Sequence, residues 1–109
     1  MRLEHYSAEK LKKQIIEILS QRLDMAHYHV FFFGSRVGGS GTDRSDIDVG
    51  IEGPPIPSST WFEIRESFEN FPFLYKIEIV DFNRVDSRFR NLALQHIEDI
   101  ARYASYDKV

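Results

Sequence analysis

The stretch FFFGSRVGGSGTDRSDIDVGI, residues 31–51, constrains the fold of this chain more than any other. His29-Val30-Phe31-Phe32-Phe33 is aromatic and β-branched, is bounded by Gly34, and has no polar face beyond its first residue. Such a run reads as a buried strand. Ten residues, several of them glycine, serine or threonine, then separate Ser35 from Asp46. From Asp46 to Glu52 the pattern alternates, with Ile47, Val49 and Ile51 on one face and Asp46, Asp48 and Gly50 on the other. That is the period of a pleated strand. Two strands are therefore joined by a glycine-rich connection, and the second opens with two carboxylates on one face.

The flanking sequence supplies the layers. Leu11, Ile15, Ile18, Leu19 and Leu23 recur at three- and four-residue spacing, which predicts an amphipathic helix from Ser7 to Leu23 with Ser7 as N-cap. Pro54, Pro55 and Pro57 end the second strand. Thr60 and Glu63 have capping-box spacing ahead of Trp61, Phe62, Ile64 and Phe68, and Asn70 and Pro72 close that helix. Tyr75 to Phe82 predicts a third strand. A last helix starts near Asp86 with Phe89, Leu92, Ala93 and Ile97 inward, and past His96 the tail either bends or runs extended. The order is helix, strand, glycine loop, strand, helix, strand, helix. It predicts one α/β (α+β) domain over residues 1–109, a small mixed sheet of about three strands with helices packed mainly on one face.

Bulk properties exclude several classes. With no cysteine, neither a disulfide framework nor a thiolate zinc site can form. No stretch reaches the roughly 18 apolar residues of a membrane helix, and no signal-peptide run follows Met1, so a soluble cytoplasmic protein with no membrane role is expected. A net charge of −3 disfavours direct nucleic-acid binding through a basic face. His5, His27, His29 and His96 lack metal-ligand spacing and read as structural or surface residues.

Asp46 and Asp48, at i and i+2 on a strand, lie roughly 6–7 Å apart on one face. Like charges so close repel unless a cation sits between them, and hard cations such as Mg²⁺ bridge carboxylates to phosphates. An isolated Asp-x-Asp more often just projects from an exposed strand. The glycine loop alters that balance, because Gly34, Gly38, Gly39 and Gly41 let backbone N–H groups approach an anion and Ser35 adds a hydroxyl. The loop is not a Walker A motif, having no Gly-Lys-Ser/Thr, nor a dinucleotide fingerprint, since its glycine spacing differs.

A hydrophobic strand, Gly34-Ser35, a ten-residue spacer and Asp46-Ile47-Asp48 together resemble the nucleotidyltransferase superfamily of DNA polymerase beta, and most closely its small stand-alone members, the minimal nucleotidyltransferases. The resemblance covers the whole chain in length and element order. It implies that fold, and a reaction in which two Mg²⁺ ions held by the Asp-x-Asp pair serve transfer of a nucleoside monophosphate from a triphosphate such as ATP to an acceptor hydroxyl. It also implies a third carboxylate on a neighbouring strand. Ile77-Glu78-Ile79-Val80-Asp81 corresponds to that segment, and strand parity puts Glu78 on the face of Asp46 and Asp48, with Asp81 on the other. Glutamate here is one methylene longer than the family's usual aspartate. The resemblance thus nominates Asp46, Asp48 and Glu78 as catalytic and metal-binding residues. Gly34, Ser35, Arg36, Arg44 and Ser45 are nominated for the triphosphate; for Arg36 and Arg44 a solvated surface role serves equally well. Arg84, Arg88 and Arg90 form a basic cluster, read first as helix-face salt-bridge partners.

Minimal nucleotidyltransferases resemble one half of a two-protein system whose other half is a HEPN-domain RNase toxin. By analogy, the acceptor is a tyrosine on a HEPN partner and the chain is an adenylyltransferase antitoxin. Two other readings stand beside it: a binding module that neutralises its partner by contact, and transfer to a small molecule as in aminoglycoside-modifying relatives. Self-association is left open.

Overall fold

The computed structural model describes residue 3, residues 7–39 and residues 46–102. Helix α1 (Ala8–Ser20) begins as expected, with the Ser7 hydroxyl accepting from the backbone N–H of Lys10 at 3.3 Å. Its stripe of Leu11, Ile15, Ile18 and Leu19 is buried. The helix stops three residues before Leu23. The N–H of Arg22 bonds Leu19 O, a tightened last turn, and Asp24 then caps a single 3-10 turn at Met25–His27.

Strand β1 (His29–Phe33) is buried at every position. After the one-turn helix α2 (Ser35–Gly38) comes β2 (Ile47–Glu52), paired antiparallel to β1 with Phe33 opposite Asp48 and His29 opposite Glu52. Helix α3 (Ser58–Asn70) carries the chain across to β3 (Ile77–Asp81), which runs parallel to β2 with Ile47 opposite Ile77 and Asp48 opposite Glu78. Helix α4 (Ser87–Ala93) leads to β4 (Glu98–Arg102), antiparallel to β1 with a register shift between Val30 and Phe31. The sheet order is β3-β2-β1-β4. The three expected strands are all present in a mixed sheet, and the tail that sequence left undecided runs extended as a fourth.

Alternation sorts the sheet into two faces. Val30, Phe32, Ile47, Val49, Ile51 and Ile79 pack with α1 and with Ile64 and Phe68 of α3. Phe31, Phe33 and Phe82 form a second cluster on the opposite face, joined by Ala93, Leu94 and Ile97. That cluster explains why β1 is apolar throughout. Gly50 lies beneath it, and a Cβ there would meet the Phe31 and Phe82 rings at 2.6 and 2.7 Å.

Two local expectations are corrected. The Thr60–Glu63 capping box does not start α3. The helix begins at Ser58 behind Pro57, whose φ of −57° already suits a helix start, and no side chain caps it. The Ser58 hydroxyl instead accepts from Arg84 at 3.4 Å. Leu92 does not face inward; it is 63% exposed, because α4 ends at Ala93 and Ile97 reaches the second cluster from beyond the helix. The arginines after β3 form ion pairs, as first read: Arg84 bonds Asp81 at 3.1 Å and Arg90 pairs with Glu52, fastening α4 to the sheet.

Candidate active site

Gly34 ends β1 at φ 85°, a left-handed conformation open to glycine and strained in other residues. The turn it makes leads into α2, where Val37 and Gly38 donate their N–H groups to Gly34 O, and Gly39 at φ 83° closes the helix. Part of the glycine-rich connection is therefore one helical turn between two left-handed glycines. Residues 40–45 lie outside the described residues, so the expectations for Arg44 and Ser45 concern positions whose structure is not described.

Antiparallel pairing brings Asp48 directly opposite Phe33, the residue before Gly34. A Cβ on Gly34 would overlap Oδ2 of Asp48 and lie 3.2 Å from its Cγ. The missing side chain makes room for the carboxylate. Parallel pairing on the other side sets Glu78 opposite Asp48, and Asp46 shares the same parity at the strand entrance. Asp48 is half-buried between the other two. Its pKa is raised above the ordinary aspartate value, first by desolvation, then by the negative charges of Asp46 and Glu78.

Asp81 does not belong to this group. It pairs in register with Ile51, faces the other side of the sheet and is 4% exposed. Its oxygens accept from the Asn83 N–H at 2.9 Å and from Arg84 Nε at 3.1 Å. It holds the turn between β3 and α4, and Glu78 is the acidic residue of β3 that shares the face of Asp48.

Two contacts at this end of the sheet had no signal in the sequence. Lys76 Nζ lies 3.9 Å from Asp46 Oδ2, an exposed pair and so a weak one. The Arg36 guanidinium lies over the ring of Tyr75, 5.2 Å from its centroid. Tyr75 and Lys76 just precede β3, and only the parallel crossover brings them beside α2 and Asp46. Beside them, a cleft of about 490 Å³ runs along β3 and the end of α3; Phe71, Phe73, Tyr75 and Glu78 are among its lining residues. Ser35 is exposed at the start of α2. Of the histidines, His29 is buried with Nε2 2.6 Å from Asp99 Oδ1, a bond between β1 and β4.

The donor set suits a hard cation. It consists of carboxylate oxygens, crowded enough that Asp48 is held against its own ionisation, and a divalent ion would relieve that repulsion. Among the described residues no three acidic or histidine side chains already close into a cage. An ion bound here would take few protein oxygens and complete its shell from water or phosphate, which is how Mg²⁺ is usually held.

A mixed sheet with two carboxylates entering its central strand beside a left-handed glycine turn is the architecture of a nucleotidyltransferase domain. Residues 13–102 match the family model described as Polymerase beta, Nucleotidyltransferase, and the chain belongs to that family. No curated protein matches the sequence significantly. Several solved structures share the fold. One is a crystal structure of a toxin–antitoxin with AMP-PNP, at 15% identity and TM-score 0.67, covering 89% of this chain and 77% of that one. Another is the toxin–antitoxin MntA-HpeT in a mutant with two aspartate-to-glutamate changes two positions apart, at 13% identity and TM-score 0.66, with coverage of 89% and 77%. A third is a tri-AMPylated Shewanella oneidensis HEPN toxin in complex with an MNT antitoxin, at 14% identity and TM-score 0.62, with coverage of 92% and 77%. At these identities the likeness is one of fold.

Proposed function

We propose that the chain transfers AMP from ATP, with a divalent cation, to a hydroxyl on a HEPN-domain partner, a tyrosine being the acceptor, and so acts as an antitoxin. The observation that carries this reading is the Asp48 carboxylate, seated in the space that Gly34 leaves and flanked by Asp46 and Glu78. Fold neighbours that include an AMP-PNP complex and an AMPylated HEPN toxin support the choice of nucleotide and partner. The paired aspartate changes in the MntA-HpeT mutant have the spacing of Asp46 and Asp48.

Asp46 and Asp48 would hold the cation, with Glu78 as third ligand or as base. When bound, Mg²⁺ supplies Lewis-acid stabilisation of charge on the transferring phosphoryl group and on the leaving pyrophosphate. Gly34 and Ser35 line the triphosphate, and Arg36 offsets its charge. The acceptor oxygen bonds to the α-phosphorus as the bond from that phosphorus to the α,β-bridging oxygen breaks. The bridging oxygen keeps the electron pair and departs with pyrophosphate, while the hydroxyl proton passes to the Glu78 carboxylate.

The direct test incubates the protein with ATP labelled at the α-phosphate, Mg²⁺ and the product of the adjacent reading frame. Label should appear on a partner tyrosine and vanish with Asp46→Asn/Asp48→Asn. A second reading draws on Glu78, one methylene longer than the aspartate usual in the family: the chain neutralises its partner by contact alone. A complex that forms without label, and equally well with the double variant, would establish that reading instead. Label on an aminoglycoside and none on the partner would point to small-molecule transfer.

A further inference from the structure

We infer that the cleft beside β3 is the acceptor site, and that it takes the phenol ring of a tyrosine with the hydroxyl turned to Glu78. This rests on the nucleotidyltransferase reading above. Among the described strands, β3 lies at the edge of the sheet. Ile77 and Ile79 have one parity and Glu78 the other, yet all three line the same cleft of about 490 Å³. A space that touches both faces of one strand has to pass around its outer edge. It therefore leads from the apolar side of the sheet, by the end of α3, to the carboxylate opposite Asp48. A hydroxyl arriving by this route meets Glu78, to which its proton passes as its oxygen bonds to the α-phosphorus and the bond to pyrophosphate breaks.

The lining selects the acceptor. Phe71 and Phe73 form one wall, their ring centroids 4.5 Å apart and their planes tilted by 44°. That wall is held in advance. The Phe71 N–H donates to Ser67 O at 3.1 Å, the Phe73 N–H donates to Phe71 O at 2.8 Å, and the Phe73 ring stacks on Phe68 of the core. Both rings are only half-buried, so a further ring can add to them edge-on or offset. The charged residues of the cleft are Arg65 and Lys76 against Glu69 and Glu78, and their formal charges cancel. A polycation such as an aminoglycoside would require an acidic excess, whereas a neutral phenol does not. Leu74, 62% exposed at the cleft, offers an apolar contact to the polypeptide that carries the tyrosine.

Two small probes test the cleft directly: p-cresol, which is the tyrosine side chain alone, and methylcyclohexanol, its saturated analogue. Titrated into the protein by NMR, p-cresol should shift the backbone amides of Phe73, Ile77 and Ile79. It should bind about two- to tenfold more tightly than the saturated alcohol, the scale of one aromatic contact. Phe71→Leu keeps apolar bulk without the ring and should remove most of that preference. In the transfer assay with labelled ATP and the product of the adjacent reading frame, p-cresol should compete with the protein acceptor and not with ATP. Leu74→Glu, at an exposed position, should raise the KM for the acceptor while the KM for ATP and the Tm stay as in the wild type. Competition with ATP, equal binding of the two probes, or shifts confined to other residues would each overturn the assignment, and label on the partner would leave the nucleotidyltransferase reading intact. If the wild type labels no acceptor at all, that reading falls and the assignment with it.

Discussion

Gly34 and Asp48 occupy each other's space: the backbone of one bends at φ 85° with no side chain, and the carboxylate of the other fills the place a Cβ would take. Gly34 follows β1 directly and Asp48 lies on β2, the two brought together by the register that sets Phe33 opposite Asp48. Gly34→Ala should therefore fail twice. The left-handed backbone costs about 1–2 kcal/mol in any L-residue, and the methyl displaces the carboxylate. A displacement of about 1 Å at a reacting centre lowers rates on the order of 100-fold. Thermal unfolding and transfer assays of Gly34→Ala should show a modest loss of stability and a disproportionate loss of rate. In an Asp48→Ala background the same change should cost only the backbone part; an equal cost in both backgrounds would mean the overlap is unimportant.

The strain on Asp48 has a sign that can be measured. Its pKa is raised in the folded protein, so native Asp48 holds its proton more tightly than unfolded Asp48 does. The associated stability is present in full below the unfolded value, near 3.8, and is lost as pH rises through the higher folded value. At neutral pH the ionised group then weighs against the fold. Without divalent ions Asp48→Asn should be more stable than the wild type, by about 0.2–1 kcal/mol on the scale of directly opposed like charges such as Asp48 and Glu78. The advantage should fade as pH falls through the folded value toward 3.8. Denaturant titrations at pH 7 and pH 3.5 would check it, and a less stable variant at pH 7 would refute it.

Divalent cations should reverse that order. An ion that binds only the folded protein adds about 2.7 kcal/mol at a hundredfold excess over its Kd. Mg²⁺ should accordingly raise the Tm of the wild type and leave that of Asp46→Asn/Asp48→Asn unchanged, with EDTA restoring the lower value. Equal shifts in both proteins would place the ion elsewhere.

Glu78 and Asp81 make a matched contrast on one strand. Glu78 is exposed beside Asp48, whereas Asp81 is buried and bonded to Arg84 and to the Asn83 N–H. Glu78→Gln should abolish most transfer with Tm nearly unchanged. Asp81→Asn should lose about 1–3 kcal/mol of stability yet keep the transfer rate of whatever fraction stays folded. Exchange of those two phenotypes would overturn the parity assignment.

Gly50 tests the second core without touching the site. A Cβ there would meet the Phe31 and Phe82 rings, which already pack edge-on at 5.0 Å between centroids. Gly50→Ala should destabilise by about 1–3 kcal/mol through overpacking, read as a fall in Tm. An unchanged Tm would mean the rings yield freely.

Much of this architecture is legible residue by residue. The Leu11–Ile15–Ile18–Leu19 stripe and the Ser7 cap define α1, the run His29–Phe33 is β1 to the residue, and the alternation after Asp46 separates the carboxylates from Ile47, Val49 and Ile51. Parity alone put Glu78 with Asp48 and Asp81 against them. What sequence misjudged are short-range choices that distant partners decide. The start of α3 lies at Ser58 rather than Thr60, where Arg84 reaches the Ser58 hydroxyl, and Leu92 turns outward because α4 is only seven residues long.

Local pattern, through helical and strand periodicity and the geometry of glycine, determined which residues could share a face and where the backbone must turn. It could not determine which strand lies beside which, because register is set by contacts between segments far apart in the chain. The pairing of β2 with both β1 and β3 is what seats Asp48 against Gly34, opposes it to Glu78 and raises its pKa. The same pairing carries Tyr75 under Arg36, and β4 to the free edge of β1. Those relationships exist only once the sheet is assembled, since each joins side chains that no periodicity connects.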